Sequence, residues 1–95
     1  MHIITRKRVI EAEEKYPLVP AALRGWFQTI NQSDFNNFSE MKSTFNSVDK
    51  VGNLYVFNVG GNKIRLIAAI HFNTGRVFIR AILNHTEYDQ GKWKE

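Results

Sequence analysis

The stretch between residues 55 and 89 alternates apolar and polar side chains with a period of two, and this pattern constrains the fold more than any other part of the chain. It is interrupted by Gly60-Gly61 and by Thr74-Gly75, which divide it into three segments. Each interruption predicts a two-residue hairpin turn, because glycine adopts positive φ angles without steric cost. The sequence therefore predicts a three-stranded antiparallel meander with one buried face.

The two turns fix the register of the strands and hence the face on which each side chain lies. The first turn is expected to pair Phe57 with Ile64, and the second to pair Ile70 with Ile79 and Leu66 with Leu83. The predicted core face holds Tyr55, Phe57, Ile64, Leu66, Ile70, Phe72, Val77, Ile79 and Leu83. The opposite face holds Asn58, Lys63, Arg65, His71, Arg76, Phe78 and Arg80. A slip of one residue in either hairpin would bury the arginines, so a cationic, partly aromatic outer face is expected.

The excess positive charge of the chain belongs to its second half. Residues 1–49 contain six Lys or Arg and six Asp or Glu, whereas residues 50–95 contain seven and three, so the second half carries the whole net charge of +4. A cationic surface of this kind favours a polyanion or an acidic protein as partner. The absence of cysteine excludes disulfide scaffolds and every zinc site or nucleophile based on cysteine.

The length of the chain suits one domain, and we expect residues 1–95 to form it. The N-terminal segment lacks the apolar run of a signal peptide, and no segment reaches the length needed to cross a membrane. A soluble cytoplasmic protein without a membrane partner is therefore expected. His2, His71 and His85 stand far apart in the sequence, so no metal-ligand cluster is recognisable and neither a metal nor another cofactor is expected.

The first half of the chain predicts one short strand followed by helices. His2-Ile3-Ile4 predicts the strand, and Thr5 is a candidate N-cap for a first helix. Pro20 predicts the first turn of a second helix, whose apolar stripe is Ala22, Leu23, Trp26, Phe27 and Ile30. Ser39 and Thr86 are candidate N-caps of two shorter helical turns. The expected fold is α+β, with the N-terminal strand and two helices packed on the antiparallel meander.

The chain also carries a combination of motifs found together in one protein family. They are the opening MHIIT, the EKYP after the first predicted helix, NVGGNKIRLI around the first hairpin, and RAILNHTEYD at the end of the meander. Together they closely resemble the HigB family of toxins from bacterial type II toxin–antitoxin modules, within the RelE-like superfamily of small ribonucleases. The resemblance covers essentially the whole chain. It implies a RelE-like fold and an endoribonuclease that cuts translated mRNA on the ribosome, restrained by a helix-turn-helix antitoxin of the HigA type.

An enzyme that cuts RNA without a metal can use the substrate's own 2′-OH as the nucleophile. It must align the 2′ oxygen with the leaving 5′ oxygen, stabilise the charge that develops on the phosphate, and move two protons. Lys63, Arg65 and Arg80 share the predicted outer face and supply positive charge. In the predicted register Arg65 and Arg80 lie about 13 Å apart along the sheet. His85, Tyr88 and Lys63 are the candidates for proton transfer, and which acts as base and which as acid stays open.

A basic sheet alone does not distinguish an enzyme from a binding module. The residues expected to contact RNA are Asn58, Lys63, Arg65, His71, Arg76 and Arg80. A non-catalytic RNA- or ribosome-binding module could use the same residues, with His85 only bonding the start of a helix and Tyr88 only packing. Asp89 is expected to hold a basic neighbour. A binding module has no need of proton-transfer groups beside its cationic face, so the segment HTEYD favours the ribonuclease.

Overall fold

The computed structural model describes residues 1–4, 7, 11, 15, 20–61 and 64–94. Its strands are β1 His2–Ile4, β2 Asp49–Val51, β3 Leu54–Val59, β4 Ile64–His71 and β5 Arg76–Asn84, and its described helices are α1 Pro20–Gln32, α2 Phe38–Thr44 and α3 His85–Asp89. The strands form one mixed sheet in the order β1-β5-β4-β3-β2, in which only the pairing of β1 with β5 is parallel. The α+β prediction is confirmed, and β2 adds a fourth strand to the predicted meander.

Helix α1 packs its predicted apolar stripe on one face of the sheet, which is the core face. The side chains that it contributes to the core are Leu23, Trp26 and Ile30, with Ala22 and Phe27 partly buried beside them. Trp26 meets Phe57 of β3 edge to face, with the ring centroids 5.3 Å apart. The stripe prediction is therefore confirmed. No helix in the described part of the chain is long and apolar enough to cross a membrane.

Of the other predicted helices, the first is described only in part and the next has a different cap. The predicted first helix lies outside the described residues except at positions 7, 11 and 15, each of which is helical. The predicted cap of α2 at Ser39 is wrong, because Asn37 caps it instead. The side-chain oxygen of Asn37 accepts a hydrogen bond from the backbone nitrogen of Glu40 at 2.9 Å.

The prediction that residues 1–95 form a single domain stays a prediction.

Strands β3 and β4 pair two residues away from the predicted register. Phe57 lies opposite Leu66 rather than Ile64, and Val59 lies opposite Ile64. Gly60 and Gly61 have positive φ angles, 67° and 69°, as the turn prediction required. A shift of two residues leaves every side chain on its predicted face, because the side-chain period of a strand is two.

The hairpin of β4 and β5 is also shifted by two residues. Ile70 lies opposite Val77 rather than Ile79, and the faces near this hairpin are again those predicted. Farther along, Leu66 lies opposite Ile82 rather than Leu83. Here the observed partner differs from the predicted one by one residue. An odd shift of this kind changes which side chains face the core.

A β-bulge in β5 causes the change of face. Ile67 pairs with Ala81 and its neighbour Ala68 pairs with Ile79, so Arg80 is the extra residue of β5 at the bulge. Beyond the bulge Ile82 packs on the core, whereas Leu83 packs on the outer face. The prediction of Leu83 as a core residue is therefore wrong. One extra residue in a strand reverses the faces on which all later side chains of that strand lie.

The outer face is not simply a solvated surface. It carries a second small hydrophobic cluster, which is buried at Leu54, Val56 and Ile67, and against which Val51, Ala69, Ala81, Leu83, Tyr88 and Trp93 pack. Residues beyond β5 therefore fold back over the β3 and β4 part of the outer face. The cationic side chains lie around this apolar cover rather than on an open polar sheet.

Candidate active site

Arg65 and Tyr88, two of the predicted catalytic residues, are in direct contact on the outer face. The guanidinium carbon of Arg65 lies 5.4 Å from the centre of the Tyr88 ring. Trp93 stacks on the same tyrosine, with ring centroids 5.0 Å apart and 13° between the ring planes. The indole N–H of Trp93 also donates a hydrogen bond to the backbone carbonyl of Tyr88 at 2.9 Å. The tyrosine is thus held by a cation, by an aromatic ring and through its own backbone.

The Nη1 atom of the Arg65 guanidinium is buried, and it has no hydrogen-bond partner among the described residues. A buried donor without an acceptor lowers stability. This arrangement is consistent with a side chain that is kept for its charge.

A hydrogen-bonded helix start places His85 at the same end of the sheet. The side chain of Asn84 accepts a hydrogen bond from the backbone nitrogen of Glu87 at 2.8 Å, and the Glu87 carboxylate accepts one from the backbone nitrogen of Asn84 at 3.1 Å. The second carboxylate oxygen of Glu87 lies 3.3 Å from Nζ of Lys15. The predicted cap at Thr86 is wrong, because Asn84 and Glu87 form a complete capping box.

His85 and Asp89 are neighbours on α3. Nδ1 of His85 lies 3.6 Å from Oδ1 of Asp89, a separation that becomes an ion pair when the imidazole is protonated. Asp89 therefore stands beside a basic residue, as expected. His85 and Tyr88 are three residues apart on the same short helix, a spacing that puts them on one side of it. The helix thus brings an imidazole and a phenol to the end of the sheet where Arg65 lies.

Arg80 lies closer to this group than the predicted register implied. It is the extra residue of the bulge, level with Ile67 and Ala68 of β4, and its side chain is exposed. This position is two to three residues from Arg65, roughly 8 Å along the sheet rather than 13 Å. Two long cationic side chains at that separation are able to reach one phosphate and its neighbour.

His71 and Arg76, which were predicted to contact RNA, lie at the opposite end of the sheet. They pair directly across β4 and β5, and His2 of β1 pairs with Arg76 on its other side. All three side chains are exposed. His71 lies six residues from Arg65 along β4, roughly 20 Å away. These three residues can contact a distant part of a bound polyanion, but they lie too far away to act on a group bound by Arg65.

Two predicted residues remain. Asn58 is exposed and pairs with Arg65 across β3 and β4, so it lies beside the contact between Arg65 and Tyr88. Lys63 lies outside the described residues, and its predicted role stays a prediction.

Within the described part of the chain, no group of three or more His, Asp or Glu side chains is placed to hold a metal ion. The residues brought together supply permanent positive charge and groups able to exchange protons, which suits reactions that pass through an anionic transition state.

Sequence reasoning missed the capping box and the stacking contact that hold this site in place. Asn84 followed three residues later by Glu87 is the spacing of a capping box, and that signal was available in the sequence. The stacking of Trp93 on Tyr88 depends on the path of residues 90–94 across the outer face. No local pattern shows that path.

The chain is similar to known proteins along nearly its whole length. Residues 20–91 match the profile of the family HigB_toxin, described as the RelE-like toxic component of a toxin-antitoxin system. The chain is 39% identical over 93 residues to the mRNA interferase HigB of Escherichia coli O6:H1, which covers 95% of this chain and 90% of that relative. It is 39% identical over 92 residues to the mRNA interferase toxin HigB of Escherichia coli K12 and to the mRNA interferase HigB of Shigella flexneri, covering 94% of this chain and 88% of each relative.

Proposed function

This chain belongs to the HigB family of RelE-like toxins, and from that membership we propose that it is the toxin of a type II toxin–antitoxin module that cleaves mRNA and so inhibits translation. The observation that carries the proposal is the grouping of Arg65, His85 and Tyr88 at one end of the sheet. A module that only bound RNA would need the cation, but it would not need proton-transfer groups beside it. The binding-module alternative is therefore not favoured.

The proposed nucleophile is the 2′-OH of the RNA. Its oxygen attacks the adjacent phosphorus and loses its proton to a base, while the bond from phosphorus to the 5′ oxygen breaks and that oxygen receives a proton from an acid. The products are a 2′,3′-cyclic phosphate on the upstream fragment and a free 5′-hydroxyl on the downstream fragment. This reaction balances without a metal and without a covalent intermediate on the protein.

Arg65 and Arg80 are proposed to stabilise the negative charge that develops on the phosphate. A guanidinium is permanently protonated and can donate two parallel hydrogen bonds to phosphate oxygens. Arg65 is held against Tyr88 before the substrate arrives, and a preorganised cation stabilises a transition state without first having to reorient. Lys63, which directly precedes Ile64 in the sequence, is proposed to add a third cation.

The proposed partners follow from the family and from the substrate. A toxin of a toxin–antitoxin system implies an antitoxin, and we assign that role to a helix-turn-helix protein of the HigA type. The substrate is proposed to be mRNA undergoing translation, so the ribosome is a further partner and the site of action is the cytoplasm. Asn58, His71 and Arg76 are proposed to contact the RNA outside the reacting group.

Inducing this chain alone in bacteria is expected to arrest growth, because continued mRNA cleavage stops protein synthesis. Co-expression of the proposed helix-turn-helix antitoxin of the HigA type is expected to restore growth. The measurement is the growth curve after induction, together with the amount of soluble toxin in the same culture. Normal growth at high levels of folded toxin would contradict the proposal.

Replacing His85 with alanine or Tyr88 with phenylalanine is expected to slow cleavage by about 10²–10⁴-fold, the range for loss of a general acid or base. Tyr88→Phe is the sharper test, because it retains the ring that Arg65 and Trp93 contact and removes only the hydroxyl. The measurement is the single-turnover rate on ribosome-bound mRNA. Asp89→Asn is the matched control on α3, and it is expected to cost much less. A Tyr88→Phe rate within about twofold of the parent would reduce Tyr88 to a packing residue.

A further inference from the structure

Phe78 stands apart from the other aromatic residues that the structure describes. Eight of them belong to the main core or pack on it: Trp26, Phe27, Phe35, Phe38, Phe45, Tyr55, Phe57 and Phe72. Tyr88 and Trp93 pack on the second cluster. Phe78 is partly exposed and belongs to neither cluster.

The surroundings of Phe78 are cationic. It lies on β5 between Arg76 and Arg80, each two residues away along the same strand, and both arginines are exposed. His71 of β4 meets the Phe78 ring at a centroid distance of 5.3 Å with 82° between the planes. The strand partners of Phe78 are Ala69 of β4 and Ile4 of β1. A partly exposed aromatic flanked by cations on one strand is the arrangement that binds single-stranded nucleic acid.

Tyr88, at the proposed active site, is another aromatic residue of the outer face, but its ring is already in contact with Arg65 and with Trp93. It is therefore poorly placed to stack a base as well. Phe78 is about four residues along the sheet from Arg65, since its partner is Ala69, and that spacing is roughly 13 Å. A base on Phe78 would consequently belong to a neighbouring nucleotide and not to the one being cut.

We propose that Phe78 is a stacking platform for one nucleobase of the single-stranded RNA substrate, with Arg76 and Arg80 holding the phosphates on either side of it. This inference rests on the proposed ribonuclease function and adds to it the residue that binds a base beside the cut. The charge of the strand selects RNA as the occupant, because β5 presents two arginines on the same strand as the ring. Stacking tolerates any base, so the platform contributes affinity and position rather than a sequence preference.

Phe78→Leu tests stacking against packing, because leucine keeps the apolar bulk and removes the π face. On ribosome-bound mRNA, the toxin concentration that gives half the maximal rate is expected to rise about tenfold, within the range of about 5- to 150-fold that loss of one stacked base produces. The maximal rate is expected to stay within about twofold of the parent. Phe78→Trp is the conservative control and is expected to restore tight binding. An unchanged half-saturating concentration for Phe78→Leu would overturn the proposal.

An abasic scan of the mRNA identifies the stacked nucleotide and tests the same contact from the other side. An abasic ribose is placed at each position around the cut in turn. With the parent toxin, one position is expected to raise the half-saturating concentration about tenfold. With Phe78→Leu, the same position is expected to have little further effect, because the two changes remove one interaction. Fully additive effects at every position would show that Phe78 stacks on none of these bases.

The remaining outcomes separate this proposal from its rivals. If the parent toxin cuts no RNA, the proposed function fails before Phe78 is tested. If the parent cuts normally and Phe78→Leu weakens only the complex with the antitoxin, Phe78 contacts the protein partner and the platform is wrong. Circular dichroism of Phe78→Leu must match the parent, and Phe78→Trp supplies a second folded variant for the same comparison.

Discussion

Toxicity is expected to disappear when either Arg65 or Arg80 is replaced by alanine, while the fold is retained. Both side chains lie on the outer face, and neither belongs to the main core. In a purified assay each change is expected to slow cleavage by about 10²–10³-fold, the cost of removing one preorganised donor from a developing negative charge. The measurements are growth after induction, the single-turnover rate, and the thermal midpoint of each variant.

The two arginines need different controls. Arg80 is exposed, so alanine there removes charge with little loss of packing. Arg65 lies against the Tyr88 ring, so alanine removes both a cation and the apolar stem beneath it. Arg65→Met separates these effects, because methionine keeps the stem and loses the charge, and it is expected to be as inactive as alanine. Arg24→Ala removes the same charge from the exposed side of α1 and is expected to remain fully toxic. A toxic Arg65→Met variant would exclude Arg65 from the site.

The faces of the sheet were predictable because side-chain direction depends on parity and not on the exact pairing. Both hairpins are shifted by two residues from the predicted register, and Arg65 still points to the predicted face. The bulge at Arg80 was not predictable from alternation, because one extra residue produces no local break in the apolar pattern. It explains why Leu83 was assigned to the wrong face, whereas the two-residue shift of the hairpin brings Arg80 nearer to Arg65 than expected.

The residue types of the site were predictable from the sequence, whereas their mutual contacts were not. His85, Tyr88 and Asp89 stand together in the chain, so their proximity needed no knowledge of the fold. The contact of Tyr88 with Arg65 joins residues more than twenty positions apart, and it requires the chain after β5 to fold back over the sheet. That path is decided by burial of Leu54, Val56 and Ile67 beneath the C-terminal segment, which is a tertiary effect.

The 2′-OH of the RNA is the proposed nucleophile, and one substitution in the substrate tests that role directly. A message with hydrogen in place of the single 2′-OH at the cut site is presented to the toxin on ribosomes that retain their structural magnesium, with no transition metal added. A message with the same change one nucleotide away is the matched control. Binding rests mainly on phosphate contacts, so toxin affinity for either message is expected to change little.

No detectable cleavage is expected of the message that lacks the 2′-OH at the cut site. The control message is expected to be cleaved within about threefold of the parent rate, since its nucleophile is intact. The unmodified message should yield an upstream fragment that ends in a 2′,3′-cyclic phosphate or a 3′-phosphate, and a downstream fragment with a free 5′-hydroxyl. Cleavage of the 2′-deoxy message at an unchanged rate would mean that water attacks the phosphate. The roles proposed for Lys63, His85 and Tyr88 would then be wrong.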